Sequence, residues 1–182
     1  AAALPNNSGV IRVKSEGYDY FEIDLSELSP VTAERGTTAA LVRGVAAGFA
    51  MRGFGVGGFD AYVSSDVLPG SGLSSSASFE VLIGTVINDL GEFGLTPVEI
   101  ARIGQYAENV FFGKPSGLMD QTACAVGGFI TIDFEDPSSP VIEKLGFDLA
   151  KEGYALCIVN TGGNHADLNE DYASVPAEMK SV

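Results

Sequence analysis

The sequence has few of the residues from which zinc centres and disulfide frameworks are built. Its 182 residues include two cysteines and one histidine. Cys124 and Cys157 lie far apart in apolar surroundings and match no metal-binding spacing, so we expect two buried free thiols. His165 lies in a turn-like stretch and cannot form a zinc site with its neighbours, so we expect it in a surface or interdomain loop.

Basic residues and long apolar runs are also scarce. The sequence has ten Lys and Arg residues and 24 Asp and Glu residues, which gives a formal net charge of −14. This charge argues against nucleic acid or an anionic membrane as a partner. It does not argue against ATP, because a local nest of amides and a divalent metal can override the global field. No apolar run approaches the ~20 residues of a membrane span, so we expect no membrane association and a cytoplasmic protein by default.

Apolar residues and glycine are plentiful instead. The composition is 46% hydrophobic with 23 glycines, which is typical of a compact soluble protein. The length suits one domain, or one domain with part of another. The chain opens on Ala1 without a methionine and stops at Val182 inside an apparent helix start, so we expect a piece of a longer protein.

The apolar pattern predicts an α+β fold, with a mixed sheet and helices packed on it. Strands and helices alternate too irregularly for a Rossmann series. Alternation predicts a hairpin from Val10–Lys14 and Tyr20–Leu25. Further predicted strands are 59–63, 128–134, 141–147 and 154–161. The predicted helices run from Thr37 or Thr38 to about Met51, from about Phe79 to Leu90, and from Pro97, behind a Thr96 capping box, to about Phe112.

A glycine and serine loop over residues 68–78 joins a predicted strand to a long apolar helix. Glycines let a backbone approach a ligand, and the free amides at a helix start attract anions, phosphates above all. No lysine follows Gly72 as in a Walker loop, so hydroxyls stand where that lysine would be. Ser74, Ser75 and Ser76 could instead only cap the helix, although one serine suffices for a cap. The residue types leave both interpretations open.

Two acidic residues downstream have both structural and functional interpretations. Glu108 falls within the apolar arc of its predicted helix, where a carboxylate needs a cation, a metal or a proton. A salt bridge to Arg102 or Lys114, or exposure at the helix edge, would also explain it. Asp120 follows a turn with two glycines and a proline, and it is either a helix cap or a general base.

In combination, these segments resemble the GHMP small-molecule kinases, and the galactokinases among them in particular. Residues 70–78 resemble the phosphate loop of that superfamily, while 107–109 and 117–121 resemble the galactokinase segment AEN…GIMDQ. The spacing of the three motifs also agrees with the family. The resemblance runs from about Phe59 to Tyr172, where 158–161 and 170–172 resemble a later strand and a sugar-contacting tyrosine.

The resemblance implies a set of roles. Asp120 would accept the proton of the sugar's anomeric hydroxyl, in the conversion of galactose to galactose 1-phosphate. Gly117 and Tyr172 would help Asp120 to seat the sugar, and Ser76 with Glu108 would hold Mg²⁺. Residues 1–152 would form the N-terminal ATP- and Mg²⁺-binding domain without its first strands, and 153–182 would begin the C-terminal domain. The ATP phosphates would be held by Gly70, Ser71, Gly72, Leu73, Ser74, Ser75 and Ser76.

The sequence departs from the family at both ends. It contains neither the family's N-terminal arginine and GEHTD-like sugar motif nor its C-terminal glycine motif. The stretch after Tyr172 lacks the arginines usual in galactokinases. We therefore expect the chain alone to be inactive. The alternatives to galactose are an amino sugar, galacturonate or arabinose, and the alternative to an enzyme is a kinase-like sugar-sensing regulator.

Overall fold

The computed structural model describes residues 1–67, 72–159, 174–175, 178–179 and 181. In these ranges no helix combines the length and apolar character needed to cross a membrane. The architecture is the predicted α+β class, with one mixed sheet covered by helices.

The sheet contains four strands in the order β1-β4-β2-β3. They are β1 (Ala2–Asn6), β2 (Val10–Ser15), β3 (Phe21–Asp24) and β4 (Gly58–Val63). β2 and β4 pair in parallel while the other neighbours are antiparallel, which confirms the predicted hairpin and the predicted strand before the glycine loop. β1 was not predicted, because alanine and proline have low strand propensity. Its Pro5 is tolerated because the strand lies at the sheet edge.

The described residues form four α-helices, of which the first three match the predicted positions. They are α1 (Thr38–Ala50), α2 (Ser75–Leu90), α3 (Pro97–Tyr106) and α4 (Met119–Val126). The start signals are confirmed, because Thr37 accepts a hydrogen bond from the Ala40 amide, and Thr96 forms the capping box before Pro97. The third helix does reach Phe112, but its last part, Ala107–Phe112, is a π-helix rather than an α-helix.

The apolar core lies between the sheet and the helices. Alternate residues of β2 and β4, such as Val13 and Phe59, point at the helices and are buried. Apolar residues at helical spacing meet them from the other side. The helices contribute the fully buried Val42, Val45, Phe49, Ile83 and Ile103. This packing fixes the N-terminus of α2 and the π-helix close to each other at one end of the core.

The C-terminal third departs from the sequence predictions. A separate hairpin of β5 (Phe129–Asp133) and β6 (Val141–Leu145) is confirmed, but 154–159 is not a strand, and 160–161 lie outside the described residues. Apolar alternation alone cannot supply a pairing partner. Both cysteines are free, as predicted, but the prediction that they are buried was wrong, because both residues are exposed. Cys124 lies on α4, and Cys157 lies in the unpaired stretch.

Candidate active site

The start of helix α2 is organised around Ser74, which does not act as a helix cap. Its backbone adopts the left-handed conformation, with φ 58° and ψ 43°, and its side chain makes no capping hydrogen bond. The hydroxyl instead donates to Asp120 Oδ2 at 2.7 Å. A non-glycine residue in this conformation costs on the order of 1–3 kcal/mol, and such strain is concentrated at functional sites.

Ser76 makes a second bond of the same kind. Its hydroxyl donates to Glu108 Oε1 at 2.8 Å. The two serines thus connect the first turn of α2 to two carboxylates, one on the π-helix and one in the first turn of α4. Three residues predicted from separate motifs, Ser76, Glu108 and Asp120, therefore lie in one neighbourhood.

Glu108 is held on both of its oxygens. The side chain is 2% exposed. Lys114 Nζ lies 3.2 Å from Oε1, so the predicted salt bridge to Lys114 is present. Gln121 Nε2 donates to Oε2 at 2.8 Å. The buried carboxylate therefore has charged and neutral donors around it, and the Ser76 hydroxyl is one of them.

The π-helix gives Glu108 its position. The Glu108 carbonyl accepts from the amides of both Gly113 and Lys114, at 2.9 and 3.2 Å, which closes the wider turn. The following turn is held by Asn109, whose Oδ1 accepts the Ser116 amide at 2.6 Å. π-Helical turns of this kind are frequent at functional sites, because they re-aim a side chain without ending the helix.

A third acidic residue, the buried Glu80, lies behind this pair. It is fully buried on α2, and its Oε2 accepts a hydrogen bond of 3.1 Å from Gln121 Nε2. Burial and, after it, the negative charge of Glu108 raise the pKa of Glu80 to about 9. We call Glu80, Glu108 and Gln121 the polar cluster. Sequence reasoning missed Glu80 and Gln121; the signal for Glu80 was an acidic residue one turn after Ser76, within the apolar face of α2.

Two cavities meet at the α2 N-terminus. The larger one, of about 720 Å³, is lined by Ser75 and Ser76 together with apolar residues such as Phe79. The second, of about 610 Å³, is lined by Ser74 and Asp120. Consecutive serines therefore line different cavities.

Cys124 lies one helical turn beyond Asp120 and lines both cavities. Partial burial and then the charge of Asp120 raise the pKa of its thiol. At neutral pH the group is therefore a thiol rather than a reactive thiolate. It adds a small apolar wall to each cavity.

The remaining predicted residues are less tightly placed. Gly72 has φ +76°, a conformation that favours glycine, and Leu73 lines the second cavity. Gly117 is exposed, and a Cβ added there would meet nothing within 4 Å. Three predicted site residues lie outside the described residues: Gly70, Ser71 and Tyr172. The same holds for His165.

The Ser76 and Glu108 oxygens fit a magnesium ion. Adjacent ligands of an octahedral Mg²⁺ are about 2.9 Å apart when each lies at about 2.0–2.1 Å from the metal. The two oxygens are 2.8 Å apart. Mg²⁺ prefers hard oxygen donors and keeps several waters, so one carboxylate and one hydroxyl suffice beside phosphate oxygens. The described residues contain no group of three or more His, Cys, Asp or Glu side chains that could hold a metal alone.

The chain is similar to several known proteins. Residues 40–128 match the family model for the GHMP kinases N terminal domain. The chain is 36% identical over 177 residues to a galactokinase of Streptomyces coelicolor, covering 94% of this chain and 44% of the relative. A galactokinase of Chloroflexus aurantiacus is 39% identical over 127 residues, covering 69% of this chain and 32% of that protein. The chain thus spans less than half the length of these relatives.

A solved structure shows the same architecture. Lactococcus lactis galactokinase, crystallised in complex with galactose, superimposes with a TM-score of 0.71 and 28% identity. The match covers 81% of this chain and 38% of that one. The fold and these relatives lead to one conclusion: residues 40–128 of the chain form a GHMP kinase N-terminal domain.

Proposed function

We propose that this chain is the ATP- and Mg²⁺-binding part of a sugar 1-kinase that phosphorylates galactose at its anomeric hydroxyl. The observation that carries the proposal is the pair of serine–carboxylate hydrogen bonds, from Ser74 to Asp120 and from Ser76 to Glu108. They bring the start of α2, the Ser76 and Glu108 oxygens proposed to bind the metal, and the candidate base Asp120 into one site. Galactose as the substrate is supported by the similarity to galactokinases.

The nucleotide would occupy the larger cavity. Its apolar wall suits a base, and Ser75 and Ser76 line it near the free amides of α2. We assign the phosphates to residues 70–76 through backbone amides and serine hydroxyls. Ser76 and Glu108 would hold Mg²⁺, which neutralises phosphate charge when bound.

The sugar would occupy the second cavity. Asp120 is half-buried at its edge and can accept a proton there, while its hydrogen-bond partner, Ser74, keeps the carboxylate oriented. We assign Gly117 and Tyr172 to the sugar as well. Phosphoryl transfer depends mainly on positioning and charge neutralisation, so the loop, the oxygen pair and one base form a sufficient set.

The domain assignment is part of the same proposal. We propose that 1–152 belong to the N-terminal domain and that 153–182 begin the next one. Because the chain spans less than half of its relatives, other groups of the site would lie in the rest of the protein. We therefore expect the 182-residue chain to turn over no galactose by itself.

The test is a phosphorylation assay with ATP and Mg²⁺ on the full-length protein that carries this chain. Galactose, galactosamine, galacturonate, arabinose and glucose are compared by kcat/KM. Highest kcat/KM for galactose, with galactose 1-phosphate as the product, supports the proposal. Preference for another sugar would reassign the substrate, while sugar binding without turnover would indicate a sensing regulator and overturn the kinase activity.

A further inference from the structure

The hydrogen bonds within the polar cluster have no part in the roles proposed above. Glu80, Glu108 and Gln121 come from α2, the π-helix and α4, and are 0%, 2% and 0% exposed. Both contacts among them come from Gln121 Nε2, at 3.1 Å to Glu80 Oε2 and 2.8 Å to Glu108 Oε2. One buried amide thus bridges two carboxyl groups.

The bridge determines which way the Gln121 amide faces. If the amide were flipped, its carbonyl oxygen would face the acceptor-only Glu108 carboxylate, and the hydrogen bond to Glu108 Oε2 would be lost. Gly104 of α3 leaves room for this arrangement because it has no side chain. A Cβ there would lie 3.2 Å from Glu80 Cβ and 3.3 Å from Gln121 Cγ. The amide is therefore confined by packing as well as by its bonds.

Stability alone does not account for the cluster. Buried acidic groups are expensive to desolvate, and apolar side chains of similar volume often stabilise a protein as well or better. Two atoms of the cluster, Glu80 Oε1 and Gln121 Oε1, have no hydrogen-bond partner within the described part of the chain. The arrangement thus carries a free-energy penalty that an apolar core would avoid.

We propose that Gln121, oriented by Glu80, is a positioning residue that holds Glu108 Oε2 so that Oε1 faces Ser76 and the metal. The inference rests on the proposed function, because the metal pair belongs to it. With Oε2 engaged by Gln121, the carboxylate cannot rotate freely about its axis. Its other oxygen stays 2.8 Å from the Ser76 hydroxyl.

Glu80 is suited to this role as a neutral acid. Its raised pKa, due first to burial, leaves it protonated at neutral pH, so it accepts from Gln121 without adding a second negative charge beside Glu108. Glutamine at position 80 would offer the same acceptor. Leucine there would remove the acceptor and free the Gln121 amide.

The experiment measures Mn²⁺ binding to the intact protein by electron paramagnetic resonance, with a non-hydrolysable ATP analogue present. Gln121→Leu removes the donor to Glu108. We expect it to weaken Mn²⁺ binding about 10- to 100-fold, as loss of a group that orients a metal ligand commonly does. Thr122→Val is the matched control, because Thr122 is equally buried on α4 but bonds only to the Leu118 carbonyl. We expect it to bind Mn²⁺ like the unsubstituted protein.

Substitutions at Glu80 provide an independent test. Glu80→Gln should keep the Mn²⁺ affinity, and Glu80→Leu should weaken it several-fold. If Gln121→Leu does not fold, this comparison decides the proposal. Unchanged Mn²⁺ affinity in a folded Gln121→Leu, or equal affinities for the two Glu80 variants, would overturn the positioning role alone. Absence of Mn²⁺ binding to the unsubstituted protein would overturn the proposed metal pair together with it.

Discussion

The apolar core and the polar cluster are two parts of the same buried surface with opposite chemistry. α2 supplies both: Ser76 and Glu80 in its first turns, and Ile83 and Ile87 further along. The third helix does the same, with Ile103 in the core and Glu108 at the other end. Burial is nearly complete in both regions, so burial does not distinguish them.

The two regions differ in the kind of substitution that each tolerates. In the apolar core, stability depends on the filled volume, because dispersion and hydrophobic burial have no direction. In the polar cluster it depends on individual donors and acceptors, because an unpaired buried polar atom is expensive. The molecule thus places directional bonds at the cavity end of its helices and non-directional packing against the sheet. The two regions should fail in different ways.

Asp120→Asn should give the largest change, and only in activity. Asparagine keeps the shape and an oxygen for the Ser74 hydroxyl, but it cannot serve as a base. We expect kcat/KM of the full-length protein to fall about 10²- to 10⁴-fold, with the melting temperature nearly unchanged. Asp89→Asn, at the exposed far end of α2, is the control and should keep full activity. Substantial turnover by the Asp120 variant would remove Asp120 from the role of base.

Phe49→Ala should have the opposite profile. Phe49 is fully buried on α1, with its ring 6.1 Å from that of Phe54 and 5.8 Å from that of Phe93. We expect urea denaturation to show a loss of about 3–5 kcal/mol in the free energy of unfolding. Met51→Ala, at a largely exposed position beside it, should change stability by about 0.5 kcal/mol or less. A similarly small loss for both variants would mean that the core is not concentrated at Phe49.

The apolar region was the more predictable of the two. Residue spacing and start signals such as Thr37 and Thr96 gave the helices, because caps and periodicity are local properties. β1 was missed because its stability comes from pairing with β4, about 55 residues away. The stretch 154–159 was predicted as a strand from apolar alternation, although the described chain provides no pairing partner for it.

The site was predicted in part, for a similar reason. Ser76, Glu108 and Asp120 stand in motifs that resemble those of the kinase family, so the resemblance implied a shared site. The left-handed Ser74 and the π-helix were not predictable, because both conformations are imposed by tertiary packing. Gln121 gave no signal of its own, since an isolated glutamine is ordinarily a surface residue.

Gly44→Ala should disturb both regions at once. A Cβ at Gly44 of α1 would lie 2.7 Å from Ala107 Cβ and 2.8 Å from Ala107 Cα, so the π-helix would have to shift. We expect a loss of about 1–3 kcal/mol in stability. Because Ala107 precedes Glu108, we also expect a higher KM for MgATP.

The matched control for Gly44 is Gly84→Ala on α2. There a Cβ would lie 2.7 Å from Ile100 Cγ2, a side-chain atom of the apolar core. This variant should lose stability but keep the KM for MgATP. Equal KM values in the two alanine variants would contradict the proposed link between the π-helix backbone and the Glu108 position.

The last predicted effect is a pH dependence of stability that originates in the polar cluster. Glu80 has a pKa of about 9 in the folded protein, against 4.5 when unperturbed. Between these values the folded state keeps a proton that the unfolded state releases. The free energy of unfolding therefore falls as pH rises, by at most about 1.4 kcal/mol per pH unit, and the contribution is complete below pH 4.5 and lost towards pH 9.

Urea denaturation between about pH 6 and pH 8 measures this slope. Glu80→Gln should flatten it, because glutamine cannot release a proton. Glu99→Gln is the control, since its capping bonds with Thr96 lower the pKa of Glu99 and so move its titration away from this range. Glu108, Lys114 and Asp120 also act on Glu80 and stay in place in both variants. If Glu80→Gln leaves the slope unchanged, Glu80 is ionised in the folded protein. The polar cluster would then hold two buried negative charges near Lys114 instead of one charge and one neutral acid.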